Sequence, residues 1–579
     1  MRRIYWLPLL LLPVLGAGLW FTCFPLVGGK EPLLFTASNE VTDICITPGG
    51  TVWAATKGGV IRWAGEKASP ELWTTARGLP ANDLRAVANG PEGAWVVSAA
   101  VLSLITPEGK VTACPLTDAG ELCDVLVTLG NCRLATSTGV YRYAQGKFTR
   151  ILTCNARRLV DDAGGEVWVV TDLELVRLRD GKRWPLPDTQ GNVTAVTARD
   201  GCVFFATALG FWLFDGKGWS EIPLPAESDA SHVSALGSNE FLLLVGLYGD
   251  GLYSLEGAKW TRMDGPESFK RNTAITADAD RRLIGTQEDG LWESVGKGWK
   301  GRKMPPAVPS ADIYGITTFH GALWAATFDH GLLCRKRDAW RRVDRRSGLS
   351  SDSPRDLLVF GNRLYVRYST GEVDSFDGHA WRPAFDKTVL PRQGVYAMAT
   401  DGHRLYLGVW AGWAVSDGKT WEHHFKEPAL QNQVITAIAA GSATLWLGTQ
   451  KAGVFAWRDG QLKQYHESHG LTDDWITSIG INGDRVLVGT YNGGLLQWDG
   501  NRFAPVMSAG GFAIRDIVFT EDGKALAATP LGMYREEGTE WRPIDPHACG
   551  GLETQALYPV PGGVWIGTRT TLAYLPIVE

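Results

Sequence analysis

The chain has 579 residues, of which 45% are hydrophobic and 21% charged, enough apolar surface to offset the entropy of ordering and to exclude a disordered chain. Its 69 glycines show no three-residue period, which excludes collagen, and its length favours several domains over a single core. The 57 Lys and Arg against 62 Asp and Glu give a net charge of −5 with no basic stripe, so no nucleic-acid partner is expected.

Met1-Arg2-Arg3 precedes an uncharged run from Ile4 to Val27. A helix crossing a bilayer needs about 20 apolar residues, whereas a cleavable signal h-region usually has about 7–15. We read residues 4–27 as a transmembrane signal anchor, with a cleaved signal peptide (Leu15-Gly16-Ala17 as a weak site) as the alternative. Arg2 and Arg3 favour the cytoplasmic side, which places the rest of the chain in the bacterial periplasm, tethered to the inner membrane. Trp20-Phe21-Thr22 is too bulky for a lipobox before Cys23. The nine cysteines form no C-x-x-C pair and match no zinc spacing. Cys114, Cys123, Cys132 and Cys154 lie close enough for one or two disulfides, although small buried strand residues explain them as well.

From residue 31 onward a phrase recurs: an apolar strand often containing Trp, a Thr, a Gly-rich turn and a second strand. It reads Val52-Trp53-Ala54-Ala55-Thr56 near the start and Val564-Trp565-Ile566-Gly567-Thr568 near the end. The Thr position returns fourteen times at intervals averaging about 39 residues, as Ser98 in one copy and replaced by Leu247, Tyr368 and Val409 in three others. A period near 40 built from short alternating strands predicts blades of four strands each. Val434–Ile438, Leu445–Thr449, Val454–Trp457 and Gln461–Tyr465 are the four strands of one unit. Asp-Gly pairs at 180, 215, 377, 417, 459 and 499 mark hairpin turns. The rings that follow (Trp184, Trp219, Trp381, Trp421 and Phe503) are expected to pack between blades.

Fourteen blades predict an all-β fold of two tandem seven-bladed β-propellers after an N-terminal transmembrane helix, with residues 31–296 in the first and 297–579 in the second. The opening strand near Leu33–Thr36 is expected to complete the seventh blade. The strand near Trp299-Lys300 is expected to complete the fourteenth, with Lys297–Pro309 as the crossing.

Gly470-Leu471-Thr472-Asp473-Asp474-Trp475-Ile476, Trp446-Leu447-Gly448-Thr449 and Gly78-Leu79-Pro80-Ala81-Asn82-Asp83-Leu84 resemble the two-component regulator propeller repeat. The resemblance covers residues 31–579 and carries no catalytic residue. It implies a periplasmic sensor propeller of the kind that detects glycan fragments in hybrid histidine kinases. Because this chain ends at Glu579 without a kinase, it also implies signalling through a separate protein.

No phosphate loop, zincin motif or nucleophile elbow occurs. Gly246-Leu247-Tyr248-Gly249-Asp250-Gly251 falls in a blade turn without a following helix. His466-Glu467-Ser468-His469 lacks a third metal ligand nearby, and no metal or other cofactor is expected. The loops between second and third strands and between blades give the second propeller a candidate recognition face: Tyr314, Phe328, His330, Tyr368, Tyr396, Trp410, Trp413, Trp475 and Tyr491, with Asp329, Asp474, Asn492 and Arg515 around it. The first propeller offers chiefly Phe211 and Tyr248. Such rings suit a partner protein or stack on sugars. The leading expectation is a non-enzymatic, membrane-anchored recognition module that binds a membrane or periplasmic protein. The alternatives are a sensor for a glycan-type small ligand and a propeller lyase or glycosidase.

Overall fold

The computed structural model describes residues 33–577 apart from 66–67, 117–118, 145, 163, 188–191, 229, 240, 306, 309–311, 338, 386–388, 391–393 and 508–511. The expected anchor at 4–27 lies outside the described residues, among which no helix is long and apolar enough to cross a membrane. The described chain forms fourteen four-stranded antiparallel sheets. We number them as blades 1–14 in chain order, with strands a to d from the channel outward. The unit parsed from sequence is blade 11, with strands Ile435–Ala440, Leu445–Thr449, Val454–Arg458 and Gln461–Tyr465.

The recurring Thr has a local cause. At the end of strand b its hydroxyl closes the b–c turn, as in Thr327 Oγ1 donating to the Gly331 carbonyl (2.8 Å) and Thr449 Oγ1 to that of Gly453 (2.9 Å). Gly453 sits at φ +71°, and a Cβ there would lie 2.2 Å from the Tyr465 carbonyl oxygen, so only glycine fits. In four of the c–d hairpins the Asp of Asp-Gly accepts two backbone amides; Asp499 takes those of Asn501 and Arg502, both at 2.8 Å. Those donors hold its carboxyl below the usual range. The rings after these turns do pack between blades. Trp381 lies against Trp324 of the preceding blade, and Phe503 against Trp446.

Two rings close separately. Thr273 of blade 7 donates to the Val41 carbonyl of blade 1 at 2.5 Å, and Tyr558 of blade 14 meets Thr318 of blade 8 at 2.8 Å. The closing strands are exchanged relative to expectation. Leu33–Thr36 pairs with Thr571–Pro576 and completes blade 14, while Gly298–Gly301 pairs with Leu291–Val295 and completes blade 7. The reason is local. Only Gly296 and Lys297 separate Val295 from Gly298, so that hairpin forms at small loop-closure cost and leaves Leu33–Thr36 free to pair with Thr571–Pro576. The first ring is therefore contiguous, 41–301. The second combines 33–36 with 313–576, and the chain crosses between them at 37–40 and again at 302–312. Phe35 anchors the imported strand between Trp340 (5.4 Å) and Trp565 (6.0 Å).

The rings meet along a polar seam. Asn82 of the first donates to the Gly550 carbonyl and to Thr571 Oγ1 of the second, both at 3.1 Å. Glu288 of the first ring accepts from its own Arg271 and from Arg342 of the second ring at 3.2 Å.

Candidate functional site

Strand a of most blades carries a one-residue bulge near its start, where the register with strand b shifts. A bulge re-aims one side chain, and here it turns that residue toward the channel mouth. In the first ring the slot holds Thr42, Arg85, Cys123, Arg157, Thr194, Ser234 and Thr273. Several of these fasten the next blade: Thr42 Oγ1 donates to the Leu84 carbonyl (2.8 Å), Arg85 to that of Leu122 (2.9 Å) and Thr194 to that of Val233 (2.6 Å). In the second ring Thr436 and Thr477 do the same to Ile476 and Ile514. The remaining slots hold Tyr314, Arg355, Tyr396, Arg515 and Gln555.

The next residue in strand a is in four blades an aspartate, Asp43, Asp124, Asp356 or Asp516, and sequence reading did not single these out. Asp43 accepts the amides of Ile44 (2.9 Å) and, across the blade gap, of Val87 (2.8 Å). Asp516 likewise accepts those of Ile517 and Leu557. Desolvation in the channel outweighs these donors and pushes Asp43 up to about 7 and Asp516 to about 6. Asp43 and Asp124 face Arg158 in a cavity of about 620 Å³ that fills the first channel.

The predicted residues of the second ring divide in two. Tyr368 (0% exposed) and Trp413 (1%) are core side chains, which corrects their placement on the face. The Tyr368 hydroxyl donates to Asp374 at 2.7 Å, replacing the Thr that normally closes that turn. Trp413 stacks on His424 at 4.3 Å and meets Trp457 edge-on. Phe211, from the first ring, is buried as well.

The others share one face, formed by the b–c turns and the blade-to-blade loops. Trp475 and Tyr491 stack at 4.2 Å with 13° between their planes. Asp473 holds the pair by accepting the amides of Trp475 (2.9 Å) and Asn492 (2.8 Å). Asp474 turns toward the Gly453 turn of blade 11; burial raises its carboxyl, and its Oδ1 finds no partner among the described residues. Tyr396 and Trp410 stand exposed on blade 10. On blade 8, Tyr314 and Phe328 lie 5.9 Å apart with the Arg355 guanidinium 4.6 and 4.5 Å from their centres. Asp329 pairs with His330, which leans toward Glu288 at the seam. Phe328, Tyr396, Trp410, Trp475, Tyr491, Leu531 and Leu552 are the large exposed apolar side chains of the described second ring, and all lie on this face. Those of the first ring are scattered: Leu173, Leu209 and Tyr248 lie on its corresponding face, Leu129, Phe241 and Val295 on the opposite one, and Ile151 on an outer strand.

The remaining motifs serve structure. His466 and His469 cap the turn at Glu467–His469. The eight described cysteines are unpaired, including Cys114, Cys123, Cys132 and Cys154.

This fold recurs in proteins of different function. No family model matches the chain, and no curated protein matches it by sequence. PorZ, a bacterial surface component of the type-IX secretion system of Porphyromonas gingivalis, is similar at a TM-score of 0.69 and 16% identity, over 95% of this chain and 87% of its own. A GH74 enzyme from Niastella koreensis is similar at 0.64 and 14%, over 94% of this chain and all of its own (100%). The extracellular domain of the hybrid two-component system BT3049 from B. thetaiotaomicron aligns over 93% of this chain and 81% of its own at 16% identity, but its TM-score of 0.41 is too low to bear on family. At such identities the likeness establishes the tandem-propeller fold alone.

Proposed function

We propose that this protein is a non-catalytic recognition module whose second propeller binds a membrane or periplasmic protein through its b–c face, with the first propeller as structural support. The observation that carries this reading is the gathering of the second ring's exposed apolar side chains onto one face. Trp, Tyr and Arg (Trp410, Trp475, Tyr491, Tyr314, Arg355) are the residues that dominate protein–protein hot spots. The apolar segment 4–27 and the resemblance to periplasmic sensor propellers support a location outside the inner membrane. Two carboxylates of the face are engaged internally, Asp473 by two amides and Asp312 by Gln555, which favours binding over hydrolysis.

The test is site-specific photo-crosslinking in native membranes. A photoreactive residue at Tyr491 is expected to capture a discrete partner that the same residue at Leu129, on the opposite face of the first ring, does not. Equal capture from both positions, or none from Tyr491, contradicts the reading.

A further inference from the structure

The face is polarised in charge as well as in hydrophobicity. At the channel mouth, where blades 8, 9, 13 and 14 converge, the charged groups whose fields reach the Tyr314 hydroxyl are Asp312, Arg355, Arg515 and Arg569. The one carboxylate among them, Asp312, is half-buried and accepts from Gln555; Asp329 lies within its field on the seam side, already paired with His330. The guanidiniums are poorly neutralised. Arg355 rests on the rings of Tyr314 and Phe328 and donates to the Phe328 carbonyl (3.0 Å). Arg569 reaches only Glu553, at 3.4 Å, and among the described residues no carboxylate holds Arg515. A guanidinium offers a planar fork of donors that matches a carboxylate, and a concave mouth concentrates its field.

From this we infer that the partner presents an acidic segment, and that one of its carboxylates enters the mouth of the second channel between Arg515 and Arg569 while its apolar residues cover the Trp475–Tyr491 pair. The inference rests on the reading of this face as a protein-binding surface. It selects an acidic peptide over an acidic sugar polymer because the exposed rings ring the mouth in a broad patch with arginine at its centre, rather than lining a cleft. In the first ring the corresponding guanidiniums all have carboxylates beside them: Arg85 is bound to Glu121, Arg157 to Asp172 through two nitrogens at 2.7 and 3.1 Å, and Arg158 faces Asp43 and Asp124 in the channel.

The probe is fluorescein-labelled hexaglutamate, titrated by anisotropy against the full-length protein in detergent. Hexaglutamate should bind and hexaglutamine should not, and affinity should fall at least tenfold between 20 and 300 mM salt. Arg515→Ala and Arg569→Ala should each weaken binding about tenfold or more, Arg515→Lys less, and Arg85→Ala not at all; all alter exposed or half-exposed side chains, so folding is checked by unchanged thermal transitions. Equal binding of hexaglutamine, indifference to Arg515→Ala, or tighter binding of oligogalacturonate through the same arginines would overturn the inference. A cross-link from Tyr491 whose yield Arg515→Ala leaves unchanged refutes the acidic segment and leaves the protein-binding reading standing; loss of the cross-link from the native protein refutes that reading itself.

Discussion

The two propellers use the same slot for different purposes. At the strand-a bulge the first ring places mostly short or tethered side chains, and Thr42, Arg85, Thr194 and Thr273 each reach the next blade's carbonyl. The second ring keeps that fastening at Thr436 and Thr477 but fills other slots with Tyr314, Arg355, Tyr396 and Arg515, which extend over the mouth. A bulge that must exist for the strand to twist thus becomes a free position for function once other contacts hold the blades. In the second ring those contacts include the Asp516–Leu557 bridge and the imported strand at Leu33–Thr36.

The largest effect is expected where the rings differ in closure. Phe35→Ala removes the ring that wedges the imported strand between Trp340 and Trp565, and should cost about 2–3 kcal/mol because Phe35 is only half-buried. Calorimetry should show the second-ring transition falling while that of the contiguous 41–301 ring stays in place; an equal fall in both would mean that the rings unfold as one unit. Next in size, Trp475→Ala should weaken partner binding by about 2 kcal/mol, roughly thirtyfold, with little change in unfolding temperature, as measured by titration of the purified partner.

A third prediction separates the channels from the face. Asp43 and Asp516 keep their protons to higher pH when folded than when unfolded, so the folded state binds more protons between about pH 4 and 7 for Asp43, and between about pH 4 and 6 for Asp516. Their contribution to stability is therefore largest at low pH and is lost as pH rises through those windows. Unfolding temperature should be a few degrees higher at pH 5 than at pH 7.5, and Asp43→Ala should flatten that slope. Smallest of all, Thr436→Val should cost about 1 kcal/mol of stability through the lost bond to the Ile476 carbonyl while leaving binding unchanged.

Most of the scaffold was legible in the sequence, because a Thr that closes the b–c turn recurs in ten of the fourteen blades and an Asp-Gly pair marks the c–d turn in six. The exchange of closing strands was not. Leu33–Thr36 and Gly298–Gly301 both read as outer strands, and only the two-residue hairpin at Gly296-Lys297 decides between them. The face was legible in its exposed rings but blurred by Tyr368 and Trp413. The first occupies the Thr position and the second opens strand c beside it, and both turn inward to fill space between blades. The arginines at the mouth were harder to find. Arg515 was reached as a polar residue around the loops assigned to the face, whereas Arg355 and Arg569 acquire meaning only when blades 9 and 14 are brought to either side of Tyr314.

The most direct test of the account exchanges the two rings against each other. The triple variants Trp410→Ala/Trp475→Ala/Tyr491→Ala and Leu173→Ala/Leu209→Ala/Tyr248→Ala remove exposed apolar side chains from corresponding faces of the second and first rings, and each would be purified at full length from native membranes with its partner quantified. The first triple is expected to lose the partner and the second to retain it. Retention by the first, or equal loss from both, would contradict that expectation.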